Sequence, residues 1–158
     1  MSYASILSST VAVVAGTAGI TGGAGSVVDH QPRSNRLEDL KSFFGNAAES
    51  LINGWSVSRD AVDDVQEDGS GRRFLRTHGM LIRGHYAIKE ASPTSSEETF
   101  QALVDAVHAA IISSSTIWVD QPELDPKTVN TTISAEIVSN VLMHVAELRF
   151  SVDERTVI

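Results

Sequence analysis

Tyr3, Leu7, Val11, Val14 and Ala18 recur at three- and four-residue intervals, the spacing of one apolar helix face. Gly16 and Gly19 supply stop signals, and Ser26-Val27-Val28 reads as a short strand. Asn35 and Glu38 have the spacing of a capping box. Leu37, Leu40 and Phe44 follow it, which predicts a helix over 35–45. The pattern then changes period. In 51–62 Trp55 and Val57 alternate with Ser56, Ser58 and Asp60, as in a half-buried strand. In 73–90 Met80, Ile82, Tyr86 and Ile88 share one parity, and Arg83, His85 and Lys89 share the other. The acidic, glycine-containing stretch between these strands predicts a long hairpin.

Helical spacing returns after Pro93. Ser95 and Glu98 form a second capping-box pattern, and Phe100, Leu103, Val104, Val107 and Ile111 predict an amphipathic helix of about four turns. Pro122 and Pro126 predict an irregular loop. The close is a strand over 140–154, with Leu148, Phe150 and Val152 inward and Glu147, Arg149, Ser151 and Asp153 outward. A strand near 131–138 is expected to pair with it. The order α, β, α, β, β, α, β, β predicts an α+β fold: a mainly antiparallel, twisted sheet flanked by helices.

The five glycines between Val11 and His30 raise the question of a nucleotide site. A phosphate loop needs strand, glycines, then helix, so that helix N–H groups meet the anion. Here the order is helix, glycines, strand, and a helix C-terminus repels anions. No lysine or arginine precedes residue 29, so the charged start of a signal peptide is missing. The apolar run falls short of the roughly 20 residues that span a bilayer. The stretch is read as a joint, with Gly16, Gly19, Gly22, Gly23 and Gly25 as candidate hinge positions.

At 158 residues the chain is read as one domain: helix and glycine joint over 1–26, core over 27–154. The absence of cysteine removes disulfide and thiolate chemistry, and a net charge of −8 argues against gripping nucleic acid. His30, His78, His85, His108 and His144 are scattered. His78 and His85, seven apart, fall on opposite strand faces, and no H-E-x-x-H motif occurs. No serine lies in G-x-S-x-G. No catalytic, metal-binding or cofactor-binding residue is expected, and Trp55 is read as a core anchor rather than a ligand platform. Arg72, Arg73 and Arg76 follow an acidic stretch and are read as neutralising it. The polar positions Arg83, His85, Lys89, Glu147, Arg149 and Asp153 are candidates for a subunit interface. Arg83 and Glu147 would be ion-pair partners if their strands are neighbours or meet across a subunit boundary.

Five segments in order carry a resemblance: "VVDHQPR", "INGWSVSRDA", "RTHGMLIRGHYAIKEA", "SSEETFQALVDAV" and "VLMHVAELRFSVDE". Together they resemble the tail terminator proteins of long-tailed bacteriophages, over about residues 27–154. Asp29-His30-Gln31 stands where that family has a His-Asp-Tyr pattern. Met143 and Val145 stand where Cys and Tyr are common. The resemblance implies a non-enzymatic virion protein of the tail neck, made in the bacterial cytoplasm. It implies a homo-oligomeric, hexameric ring that caps the tail tube, ends its growth and docks to the head connector while DNA passes through. Two alternatives stand beside it: a connector or stopper at the same junction, and a small nucleotide-binding enzyme. No membrane association is expected.

Overall fold

A computed structural model describes residues 2–20, 26–34, 36–44, 52–66, 69, 73–87, 93–119, 127–138 and 140–157. The elements are α1 (Tyr3–Ala15), β1 (Ser26–Val28), α2 (Leu37–Phe44), β2 (Ile52–Gln66), β3 (Arg73–Ala87), α3 (Pro93–Ser113), β4 (Asn130–Val138) and β5 (Val141–Val157). They form one five-stranded sheet in the order β1-β2-β3-β5-β4. Only β1–β2 is parallel; β2–β3, β3–β5 and β4–β5 are antiparallel. The element order and the mainly antiparallel α+β sheet match the sequence pattern.

The two faces of the sheet carry separate cores. On one face α1 and α3 pack over Trp55, Val57, Met80, Ile82, Leu148, Phe150 and Val152. On the other, Leu37, Leu40 and Phe44 of α2 cover Ile52, Ala87 and Met143. Coverage by α2 corrects the half-buried reading of β2, whose first six residues are all buried. It also corrects the placement of His85 on an exposed polar face, since that side chain is only 2% exposed. The parity argument for the histidines holds. His78 stacks on Tyr3 of α1 and His85 lies against Phe44 of α2, on opposite sides of the sheet.

Helix α1 buries Ile6, Thr10 and Val14, with Tyr3, Leu7 and Val11 partly buried beside them. Thr10 is tolerated inside because its hydroxyl donates to the Ile6 carbonyl at 2.8 Å. Ala18 does not extend this stripe: the helix ends at Ala15 with Gly16 as its C-cap, and Ala18 is exposed. Helix α3 also departs from expectation. It starts at Pro93 and runs 21 residues, about six turns rather than four. Proline suits the first helical position because its missing N–H would have no intrahelical partner there. Ser95 therefore sits inside the helix and is not its cap. Asn35 of the other expected capping box lies outside the described residues, as do Ile88 and Lys89.

Residue 60 interrupts the β2–β3 register: Arg59 pairs with Met80 and Ala61 with Gly79, leaving Asp60 as a bulge. Beyond it the distal half of β2, from Arg59 to Gln66, is exposed. At the other end of the sheet Val138 pairs with Val141 across a two-residue connection. Asn140 takes φ 62° there, a left-handed conformation that asparagine adopts more readily than most residues.

Candidate functional site: an ion-pair ridge on the open sheet face

Beyond the reach of α2, one face of β3, β5 and β4 is open. The antiparallel register places Arg83 opposite Glu147. The Arg83 Nε donates to Glu147 Oε1 at 3.0 Å, and the Arg83 Nη2 meets the same oxygen. Two residues along β5, on the same face, Arg149 donates to Glu147 Oε2 at 2.9 Å and also reaches Asp60. Alternation from Ser56 and Ser58 puts Asp60 on this same face, and the bulge shifts the register only beyond it, where Ala61 pairs with Gly79. The result is a row of alternating charge, Arg83, Glu147, Arg149, Asp60, across three strands.

Each charge supports the next. Hydrogen bonds from Arg83 and then Arg149 hold the Glu147 carboxyl below the usual range. The Glu147 hydrogen bond, and then the Coulombic fields of Glu147 and Asp60, push the Arg149 guanidinium up. Arg83 and Glu147 are 29% and 27% exposed, so the pair is partly screened from water. Beside the row, Thr132, Ser134 and Glu136 of β4 and Val145 of β5 help line an open trough of about 290 Å³. His85 lines its floor. Burial first, then the neighbouring Arg83, pushes His85 down to about 4, and its Nδ1 has no hydrogen-bond partner among the described residues.

Of the six interface candidates, Arg83, Glu147 and Arg149 converge within one chain. His85 is buried beneath them. Asp153 lies farther along β5, where its carboxylate accepts from the Thr77 hydroxyl at 2.7 Å. Lys89 lies outside the described residues. Asp60 was not legible as a member, because alternation within β2 placed it only as a polar outward position. Which strand's side chain would reach it across that face is not written in β2 itself.

The glycine joint is anchored at its start. Thr17 and Ile20 are buried, and the Ile20 N–H donates to the Thr17 carbonyl at 3.0 Å. Asn53 Nδ2 donates to the Gly19 carbonyl at 3.1 Å. Gly19 has φ +85°, and a Cβ there would lie 2.5 Å from Leu103 Cδ2. Gly22, Gly23 and Gly25 lie outside the described residues.

The remaining described histidines have structural partners in several cases. His78 is 1% exposed; its Nε2 lies 2.8 Å from Glu154 and its Nδ1 3.4 Å from Arg59. Arg59 also lies over the Tyr3 ring at 4.1 Å, so this group ties α1 to the sheet. His144 meets the Ser96 hydroxyl at 3.0 Å. Trp55 is fully buried and donates to Asn53 Oδ1 at 2.9 Å, as a core anchor. Arg76 makes two hydrogen bonds to Asp64, at 2.6 and 2.9 Å, so one member of the arginine cluster does neutralise the acidic stretch. Among the described residues no three His, Cys, Asp or Glu side chains are grouped to hold a metal. No helix there is long and apolar enough to cross a membrane. No protein-family model matches the sequence, and no curated protein matches it.

Proposed function

We propose that this chain is a tail terminator: a structural virion protein that assembles as a ring, hexameric by the family pattern, on the end of a phage tail tube. The reading rests on the five ordered segments that resemble that family. Their places in the fold support it. "INGWSVSRDA", the first twelve residues of "RTHGMLIRGHYAIKEA" and "VLMHVAELRFSVDE" fall on β2, β3 and β5, three adjacent strands, and "SSEETFQALVDAV" falls on the α3 helix that covers them. "VVDHQPR" begins on β1, and its Gln31, at a departure from the family pattern, bridges Ser58 at 2.9 Å and Ser56 at 3.2 Å. The segments thus form one packing unit rather than scattered likenesses.

A growing tube offers the same interface after each added ring. Length control needs a body that binds the last ring and presents no equivalent surface beyond it. A ring of this chain would do so with one face on the tube protein and the other on the head connector. Its net charge of −8 suits a passage through which DNA moves without adhering. The function needs shape and charge, not a reactive group, and the ion-pair ridge supplies a rigid, charge-patterned surface of that kind.

Deleting the gene from its phage tests the proposal. The expected result is filled heads without tails together with free tails of abnormal length. Purified protein added to tails of correct length should then restore joining to heads. Normal tails with leaking heads would assign the chain to the capsid side, as a stopper. Unchanged virions with a lost enzymatic activity would overturn the structural reading altogether.

A further inference from the structure

Strand β4 ends the sheet, and among the described residues its nine residues pair with β5 alone. Residues Asn130 to Ile137 are all exposed. An edge of this kind presents a row of N–H and C=O groups that another strand can pair with. Edges meant to stay open usually carry lysine, proline or a bulge. Here "NTTISAEIV" has neither residue, and its register with β5 runs unbroken from Asn130 to Val138. Five of the nine residues are β-branched, which favours extended pairing.

A second observation coincides with the first. Ile133 and Ile137 lie on the same face of β4, and they are 42% and 78% exposed. No other large hydrophobic side chain among the described residues is as exposed as Ile137. An open backbone edge and an uncovered apolar pair therefore occupy one strand.

We propose that β4 is a strand-addition edge whose occupant is β4 of a second copy of this chain. The sequence is self-complementary in an antiparallel pairing centred on Ala135. Ile133 then stands opposite Ile137 in both directions, flanking Ala135 opposite Ala135, all on one face. On the other face Thr132 meets Val138 and Ser134 meets Glu136. Glu136 is the strand's only charged residue, and it meets a hydroxyl rather than its own copy. The sheet's other end, β1, is three residues long and offers β4 no partner of matching length. A two-fold pairing closes on itself and leaves neither β4 edge free. It goes beyond the ring reading and does not depend on it. A ring with two unlike faces needs contacts of another kind, so the β4 seam belongs to the free protein and opens on assembly.

The chain has no cysteine, so a single introduced thiol reports its own neighbour. Full-length Ala135→Cys should form a covalent dimer under mild oxidation, because directly opposed strand residues come within disulfide reach. Asp105→Cys, on the exposed face of α3, should cross-link at least tenfold more slowly. Sedimentation of the unmodified protein should show a monomer–dimer equilibrium. Ile137→Lys should raise its Kd at least tenfold, with an unchanged circular dichroism spectrum, since Ile137 is mostly exposed. A monomer at every micromolar concentration would overturn the proposal. So would a larger ring without cross-linking at position 135, equal cross-linking at both cysteines, or a dimer indifferent to Ile137→Lys.

Discussion

Arg83 and Glu147 face each other across β3 and β5 of a single chain, joined by a hydrogen bond of 3.0 Å from Arg83 Nε. The pair therefore belongs first to the fold. A partly exposed pair of this kind contributes about 1 kcal/mol. Glu147→Lys should lower stability by about 1–2 kcal/mol, since it removes the pair and opposes two cations. The swap Arg83→Glu with Glu147→Lys should recover about half of that. Chemical denaturation of the four proteins checks it; strictly additive losses would remove the coupling. The folded-state shift has a sign as well. The Glu147 carboxyl is held below its usual value, so its contribution is full above about pH 4.5 and is lost as pH falls through the lowered value. Glu147→Gln should therefore lose less stability than the parent protein on acidification below that point.

His85 gives a separate acid dependence at higher pH. Its folded value of about 4 lies below the ordinary 6.5, so the unfolded chain binds the proton more readily. The resulting destabilisation begins as pH falls below 6.5 and is complete below about 4, reaching about 3 kcal/mol. His85→Met keeps an apolar filling beside Phe44 and has no titrating ring. Its stability should change less than the parent's between pH 6.5 and 4. Thermal unfolding across that range measures the difference, and parallel curves would exclude His85 as the cause.

Two glycines mark places where backbone meets ring. A Cβ on Gly84 would lie 2.7 Å from Trp55 Cζ3, and one on Gly54 would lie 2.3 Å from two Phe44 ring carbons. Trp55 is locked in the core, so Gly84→Ala should cost about 1–3 kcal/mol through overpacking. Gly54→Ala should cost a similar amount by lifting Phe44, and α2 with it, from the sheet. Tryptophan emission should shift in the first variant more than in the second. Neutral substitutions at both positions would contradict these contacts.

The glycine joint should divide under amide exchange. The Thr17 and Ile20 N–H groups are bonded to Val14 and Thr17 carbonyls, at 3.1 and 3.0 Å, and both side chains are buried. Slow exchange is expected at these two positions in the free protein, which takes the hinge away from Gly16 and Gly19. Fast exchange at Thr17 and Ile20 would restore Gly16 and Gly19 as hinge positions.

The sequence by itself determined the order and type of the elements. Periods of 3.6 and 2 are written in single residues such as Phe100, Leu103, Val107 and Ile111, or Leu148, Phe150 and Val152, and each follows from one face meeting a core. It also placed Arg83 and Glu147 on polar faces of strands. Tertiary structure decided what those faces meet. Alternation cannot say that a second layer, α2, lies over one end of the outer face, so His85 looked exposed and is buried. Alternation put Asp60 on the outward face of β2, but that Arg149 reaches it from β5 was decided by strand order, with β3 lying between them. The joining of Arg83 to Glu147 within one chain was decided by strand order, β3 beside β5, which depends on contacts 64 residues apart. Local patterns record which groups avoid water; the identity of the group on the other side is fixed only when distant strands share one sheet.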